Sequence, residues 1–187
     1  MSCVVAVVSG DRVLMGADRL YTADSGDAAV RRDPKIFHKG ELLIGFAGAV
    51  RTGQIIRRYL QPVEGPIRDI AEYIETTFLE AIAKIFKKHG IELDSEQEQA
   101  DLIVAYQNRI FTIGAGLEVG EPMRPYDAVG CAYAYALGSL YSTEHLPAEE
   151  RVRLALEAAE CYHGFVRGPF LYEWTRPAID SLPVHAG

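Results

Sequence analysis

Strand hairpins in this chain are followed by helices in pairs, and that alternation limits the fold more than any single motif does. CVVAVV (residues 3–8) is rich in β-branched residues and reads as a buried strand. Ser9-Gly10-Asp11 signals a tight turn, and RVLMGAD (residues 12–18) returns as a second strand. Residues 20–33 are polar and turn-rich about Ser25-Gly26-Asp27, which suits a loop or an irregular strand pair. KIFHKGELLIGFAGAV (residues 35–50) reads as a second hairpin about Lys39-Gly40-Glu41. Its glycines Gly45 and Gly48 mark close approach of another backbone or a ligand. Two helices follow. The first, over 50–61, is broken by Pro62 and Gly65-Pro66. The second, over 67–90, places Ile67, Ile70, Ile74, Phe78, Ile82 and Phe86 on one face, with lysines in its last turns and Gly90 as its stop.

The second half repeats that order. An acidic connector over 94–100 leads to DLIVAYQNRIFTIGAG (residues 101–116), a strand, a turn at Gln107-Asn108 and a strand. Short extended pieces fill 119–130. The small and aromatic residues of 131–143 predict a helix buried on most sides, and 148–164 a helix with an acidic first turn after Pro147. FLYEW (residues 170–174) reads as one more strand, and 175–187 as an irregular tail. The expectation is one α+β domain over 1–187, a four-layer αββα sandwich of two stacked antiparallel sheets.

Ser2 carries the chemical expectation. A small second residue lets the initiator methionine be cut away, which would leave a serine with a free α-amine and a hydroxyl. A serine hydroxyl needs a base beside it, and an α-amine with an ordinary pKa of about 7.7–8.0 is one. The first hairpin returns Asp18 beside residue 2, although sixteen positions separate them. Cys3 is a rival nucleophile if processing removes two residues. Composition narrows the partners. A net charge of −7 argues against a general nucleic-acid surface. No stretch is long and apolar enough for a membrane span, and VVAVV lacks the length and basic flank of a signal peptide. Three cysteines, an odd number without metal-ligand spacing, suit a reducing cytoplasm. No metal site is expected from the five histidines.

The ordered motifs, an N-terminal hydroxyl residue, GAD-R, T, K-I-F, IGFAG, DLIVA, FTIGAG, AVG-C-AYAYALG and the AAEC helix, resemble the proteasome β-type N-terminal-nucleophile hydrolases, and among them the HslV branch. The resemblance implies catalytic roles for Ser2 as nucleophile, Asp18, Lys35, and Gly45 as the oxyanion donor. It matches Cys131 to a family serine of the proton relay. Thr22 with Tyr21, Ala47 and Gly48 would hold extended substrate. The serine replaces the family's threonine, and without the threonine's methyl group slower peptide hydrolysis is expected. The resemblance further implies a cytoplasmic peptidase assembled as a homo-oligomeric ring, acting on peptide or unfolded protein, with an AAA+ ATPase unfoldase as a further partner. It implies no cofactor beyond a structural sodium ion held by carbonyls around Cys161. Two other functions fit the same residues: a catalytically silent ring or scaffold, and an amidase for a small substrate. Read without the resemblance, Cys131 and Cys161 lie on apolar helices and suit a core, His163 is a surface or packing residue, and Tyr133, Tyr135, Tyr141 and Tyr162 suit packing or a subunit interface.

Overall fold

The computed structural model describes residues 2–23, 26–61, 67–93, 95 and 98–177. Among the described residues, eleven strands and five α-helices follow one another in the expected order. The first hairpin is β1 (Val4–Ser9) and β2 (Arg12–Ala17), paired from Val4↔Ala17 to Ser9↔Arg12. The irregular pair is β3 (Leu20–Thr22) with β4 (Ala28–Val30). The second hairpin is β5 (Ile36–Lys39) and β6 (Leu42–Gly48), turned by Gly40 at φ 60°. Helices α1 (Val50–Tyr59), α2 (Ile70–Tyr73) and α3 (Leu79–His89) come next, then β7 (Ala100–Tyr106), β8 (Arg109–Ile113), β9 (Val119–Gly120) and β10 (Tyr126–Val129). Helices α4 (Tyr133–Ser142) and α5 (Ala148–Tyr162) and strand β11 (Leu171–Trp174) complete the described chain.

Nine of the described strands form the two main antiparallel sheets, β10-β1-β2-β11 and β5-β6-β7-β8-β9, and β3 with β4 makes a separate two-stranded one. Alternation along the strands sorts side chains into three apolar layers. Val4, Ala6, Val13 and Met15 meet Leu43, Ile103 and Ala105 between the sheets. Phe46, Ile44, Val104 and Phe111 face the other way, under α1–α3. Val5, Val7 and Leu14 face α4 and α5. The fold is thus the expected α+β four-layer sandwich.

Three local features depart from the expectation. The long helix begins at Ile70, where the Asp69 side chain caps it by accepting from the Glu72 N–H. It is interrupted by a π-helical turn over Ile74–Phe78. The cause is its buried stripe: Ile70, Ile74, Phe78, Ile82 and Phe86 recur every four residues. On an α-helix of 3.6 residues per turn each such step drifts by about 40°, and a wider turn corrects the drift. The third departure is α4, which buries only Ala136 and Leu140 and exposes Tyr133, Tyr135 and Tyr141. Its small residues are what let it lie close to α5 and β1. Of the tail, Thr175 is buried and anchored: its hydroxyl accepts from Val13 N–H and donates to the Gln107 carbonyl. Residues 178–187, the Pro62 and Gly65-Pro66 breaks, Ser25 and Asp94 lie outside the described residues, as does Met1.

Candidate active site

The β1–β2 hairpin sets residue 18 opposite residue 3, and the sequence places an aspartate there. Asp18 is fully buried and its carboxylate accepts four hydrogen bonds. The Cys3 N–H donates to Oδ1 at 2.9 Å, the Leu20 N–H to Oδ2 at 2.9 Å, and the Lys35 ammonium to both oxygens at 3.0 and 2.9 Å. Lys35 also donates to the Leu20 carbonyl at 2.6 Å and stands 4.8 Å from the Tyr21 ring centroid. Burial draws the Lys35 pKa below its usual value, against the raising effect of Asp18. Two charges are therefore held in a dry site with their bonds satisfied, and the carboxylate ties Lys35 to the main chain next to Ser2.

Ser2 is 2% exposed. Gly130, at φ 99°, lies against it so closely that a Cβ there would stand 2.3 Å from the Ser2 carbonyl oxygen and 2.8 Å from the Ala47 Cβ. Position 130 therefore needs glycine on steric and conformational grounds alike. Ser2 thus lies at the end of β6, beside Ala47. Cys3, by contrast, is fully buried under α4 and α5, and burial foremost, with the Asp18 charge, raises its thiol pKa. Burial among the residues under α4 and α5 disfavours the thiolate, so in this chain Cys3 serves as a packing residue.

The backbone of β6 separates the two glycines. The Phe46 N–H donates to the Lys35 carbonyl, toward β5. Antiparallel alternation then turns the Gly45 N–H toward β7, where Ile103 is its register partner. Gly45 also lies between the sheets, where a Cβ would meet Val4 Cγ1 at 2.7 Å and Met15 Sδ at 2.8 Å. It is a packing glycine, and the expectation that its amide faces an oxyanion is corrected. Ala47 shares the Gly45 orientation, opposite Asp101 in the ladder, so the trans peptide that follows directs the Gly48 N–H away from β7, beyond the start of β5. Gly48 has φ 114°. The signal available in the sequence was the strand's final glycine, just before the helix.

Two cavities meet this strand end. One, of about 360 Å³, is lined by Tyr21, Thr22, Arg31 and Val50. Tyr21 donates to the Asp33 carbonyl, and burial, with Asp33 beside it, pushes its phenol up to about 12. The second cavity, of about 240 Å³, is lined by Ala47, Gly48, Asp101, Gly130 and Cys131. Burial first, then Glu118, pushes the Asp101 carboxyl up. Cys131 precedes α4 and is exposed, as is Cys161 on α5, so neither is the core residue expected from its apolar helix. Cys131 Sγ is 3.5 Å from the Ser2 carbonyl oxygen, as a donor, and 3.7 Å from His163 Nδ1. His163, expected to be a surface or packing residue, therefore joins the site, together with Asp101 and Gly130. Tyr135 stacks on Tyr162 at 5.9 Å.

Among the described residues no group of three His, Cys, Asp or Glu side chains could hold a metal ion, and no helix is long and apolar enough to cross a membrane. No protein-family model matches the chain. Among solved structures, BPH of Thiobacillus denitrificans, in complex with epoxomicin, is similar with a TM-score of 0.80 and 23% identity, over 94% of this chain and 99% of that one. A eukaryotic HslV from Trypanosoma brucei gives 0.68 and 19%, over 92% and 98%. Anbu, an ancestral β-subunit from Yersinia bercovieri, gives 0.69 and 16%, over 93% and 81%. At these identities the likeness establishes a shared proteasome-like fold.

Proposed function

We propose, from that shared fold, that this chain is an N-terminal-nucleophile hydrolase that cleaves peptide bonds through Ser2 after loss of Met1. The observation that supports it best is the buried Asp18–Lys35 pair, tied to the Cys3 amide beside the serine. A buried ion pair in a small sheet edge is seldom a gain in stability, so a chemical use is the stronger reason for it. In this reading the Lys35 charge lowers the cost of forming the Ser2 alkoxide. The free α-amine takes the hydroxyl proton and returns it to the leaving amine. The Gly48 N–H meets the oxyanion of the tetrahedral intermediate. Water then hydrolyses the acyl ester. Thr22 and Tyr21, in the wall of the larger cavity, hold the acyl side of the substrate, and the Gly48–Cys131 cavity takes the leaving side.

Self-association belongs to the same proposal. Tyr133, Tyr135, Tyr141, Tyr162 and Phe165 are exposed on the α4–α5 side and offer apolar surface for a ring contact. A second reading has one observation in its favour. Ser2 is nearly inaccessible in the full-length chain, which suits a scaffold that keeps Met1. Hydrolysis of a panel of fluorogenic acyl-peptide amides by the wild type and by Ser2→Ala separates the two. Turnover by the wild type alone supports the enzyme; equal rates in both proteins rule it out.

A further inference from the structure

The three cysteines occupy three different environments. Cys3 is sealed under the helices. Cys161 is exposed on α5, with no hydrogen-bond partner among the described residues. Cys131 is exposed and faces a base: its Sγ is 3.7 Å from His163 Nδ1. The Phe165 N–H donates to that same Nδ1 at 3.3 Å, so the nitrogen is an unprotonated acceptor that faces the single thiol proton, which the Ser2 carbonyl oxygen, 3.5 Å from Sγ, also meets. The rings of Tyr135 and Phe165, with centroids 6.3 and 5.7 Å away, flank the imidazole and hold its plane. Cys131 also lines the cavity of about 240 Å³ that Gly48 and Gly130 share.

We propose that Cys131 and His163 form a nucleophile–base pair that takes up a low-molecular-weight disulfide, and that the resulting adduct fills the cavity beside Gly48 and switches Ser2 off. His163 Nδ1 accepts the thiol proton. The Cys131 thiolate attacks one sulfur of R–S–S–R, and that S–S bond breaks. The departing thiolate takes the proton from His163 and leaves as RSH, and Cys131 remains as Cys131–S–S–R. Cys131 is oxidised and half of the disulfide is reduced, so electrons balance without a further reagent. The adduct sits against the Ser2 carbonyl and in the path of the leaving group. A thiol reductant reverses the exchange.

The switch rests on the proposed hydrolase; the pairing of thiol and base does not. The test treats the full chain with the neutral reagent 2-hydroxyethyl disulfide near neutral pH and follows adducts by intact mass and peptide mapping. Cys161 serves as the exposed reference thiol. Cys131 is expected to react at least about tenfold faster than Cys161, because a base 3.7 Å away stands ready to take the thiol proton as the sulfur attacks. In His163→Asn, or in His163→Gln should that variant fold better, the Cys131 rate falls to that of Cys161. Equal rates in the wild type, or an unchanged rate in both variants, would overturn the pair. Labelling of Ser2 by epoxomicin is the second readout. It is expected to fall in step with Cys131 occupancy and to return with reductant. Full Ser2 labelling on the modified chain sinks the switch, as does an unmodified chain that takes no epoxomicin. In that last case the hydrolase reading fails too, while the Cys131-to-Cys161 ratio still decides the pair.

Discussion

Two ionisable pairs flank Ser2, and they are built in opposite ways. Asp18–Lys35 is dry and saturated: both side chains are buried and the carboxylate has four donors. Cys131–His163 is open, with one contact at 3.7 Å between two soft groups at the surface. The first pair is part of the hydrogen-bond skeleton that joins β1, β2 and β5. The second sits where β10 passes into α4 and meets Ser2 at its carbonyl. The difference teaches where each group can act. A charge that cannot relax suits constant electrostatic support of a nucleophile. A thiol that solvent can reach suits chemistry that comes and goes.

The contrast breaks most visibly on mutation. Lys35→Ala leaves the Asp18 carboxylate buried without its counter-ion, and a loss of roughly 3–5 kcal/mol in denaturant unfolding is expected. His163→Ala removes a half-buried ring with no charge partner left behind in the interior, and is expected to cost no more than about 1 kcal/mol. Similar losses in both variants would erase the distinction.

The two glycines of β6 sharpen it next. Gly48→Ala puts a Cβ 2.5 Å from the Gln99 carbonyl oxygen at a φ of 114°, so the proposed oxyanion donor must move. A fall in kcat of about 10²–10³ is expected. Gly45→Ala crowds Val4 and Met15 between the sheets and is expected to cost about 1–3 kcal/mol of stability. Its kcat per folded molecule should hold. Steady-state kinetics with an active-site titration, beside denaturant curves, separates the two effects.

The pH profile gives a smaller effect. Burial lowers the Lys35 pKa, so the ammonium is complete below that lowered value and is lost as pH rises through it. The alkaline limb of kcat/KM is therefore expected below the usual lysine range, and Lys35→Arg, if it folds, moves the limb upward. Cys131→Ser is expected to change turnover least, within about threefold, because a hydroxyl still donates to the Ser2 carbonyl.

Much of this was legible in the chain because its periodicities are strong. The β-branched run CVVAVV, the apolar run LLIGFAG and the stripe from Ile70 to Phe86 marked strands, helix and their order. The hairpin arithmetic brought Asp18 beside residue 2, and the register sets it one place on, opposite residue 3. Other features depend on orientation, which residue types do not encode. Gly45 and Gly48 lie in one strand, but a peptide's direction follows from ladder pairing, so the amide facing the site was not readable. His163 and Cys131 are 32 positions apart and meet only because α5 ends where β10 turns into α4. Helix α4 looked buried on most sides because its small and aromatic content does not say which face packs. The π turn was hidden in a four-residue spacing that a helix reading accepts.

The most direct test is the intact mass of the purified chain before and after epoxomicin, whose ketone meets the hydroxyl and whose epoxide meets the free amine of an N-terminal residue. The account expects Met1 absent and a single adduct that maps to Ser2 and is lost in Ser2→Ala. A chain that retains Met1 and takes no adduct would contradict it.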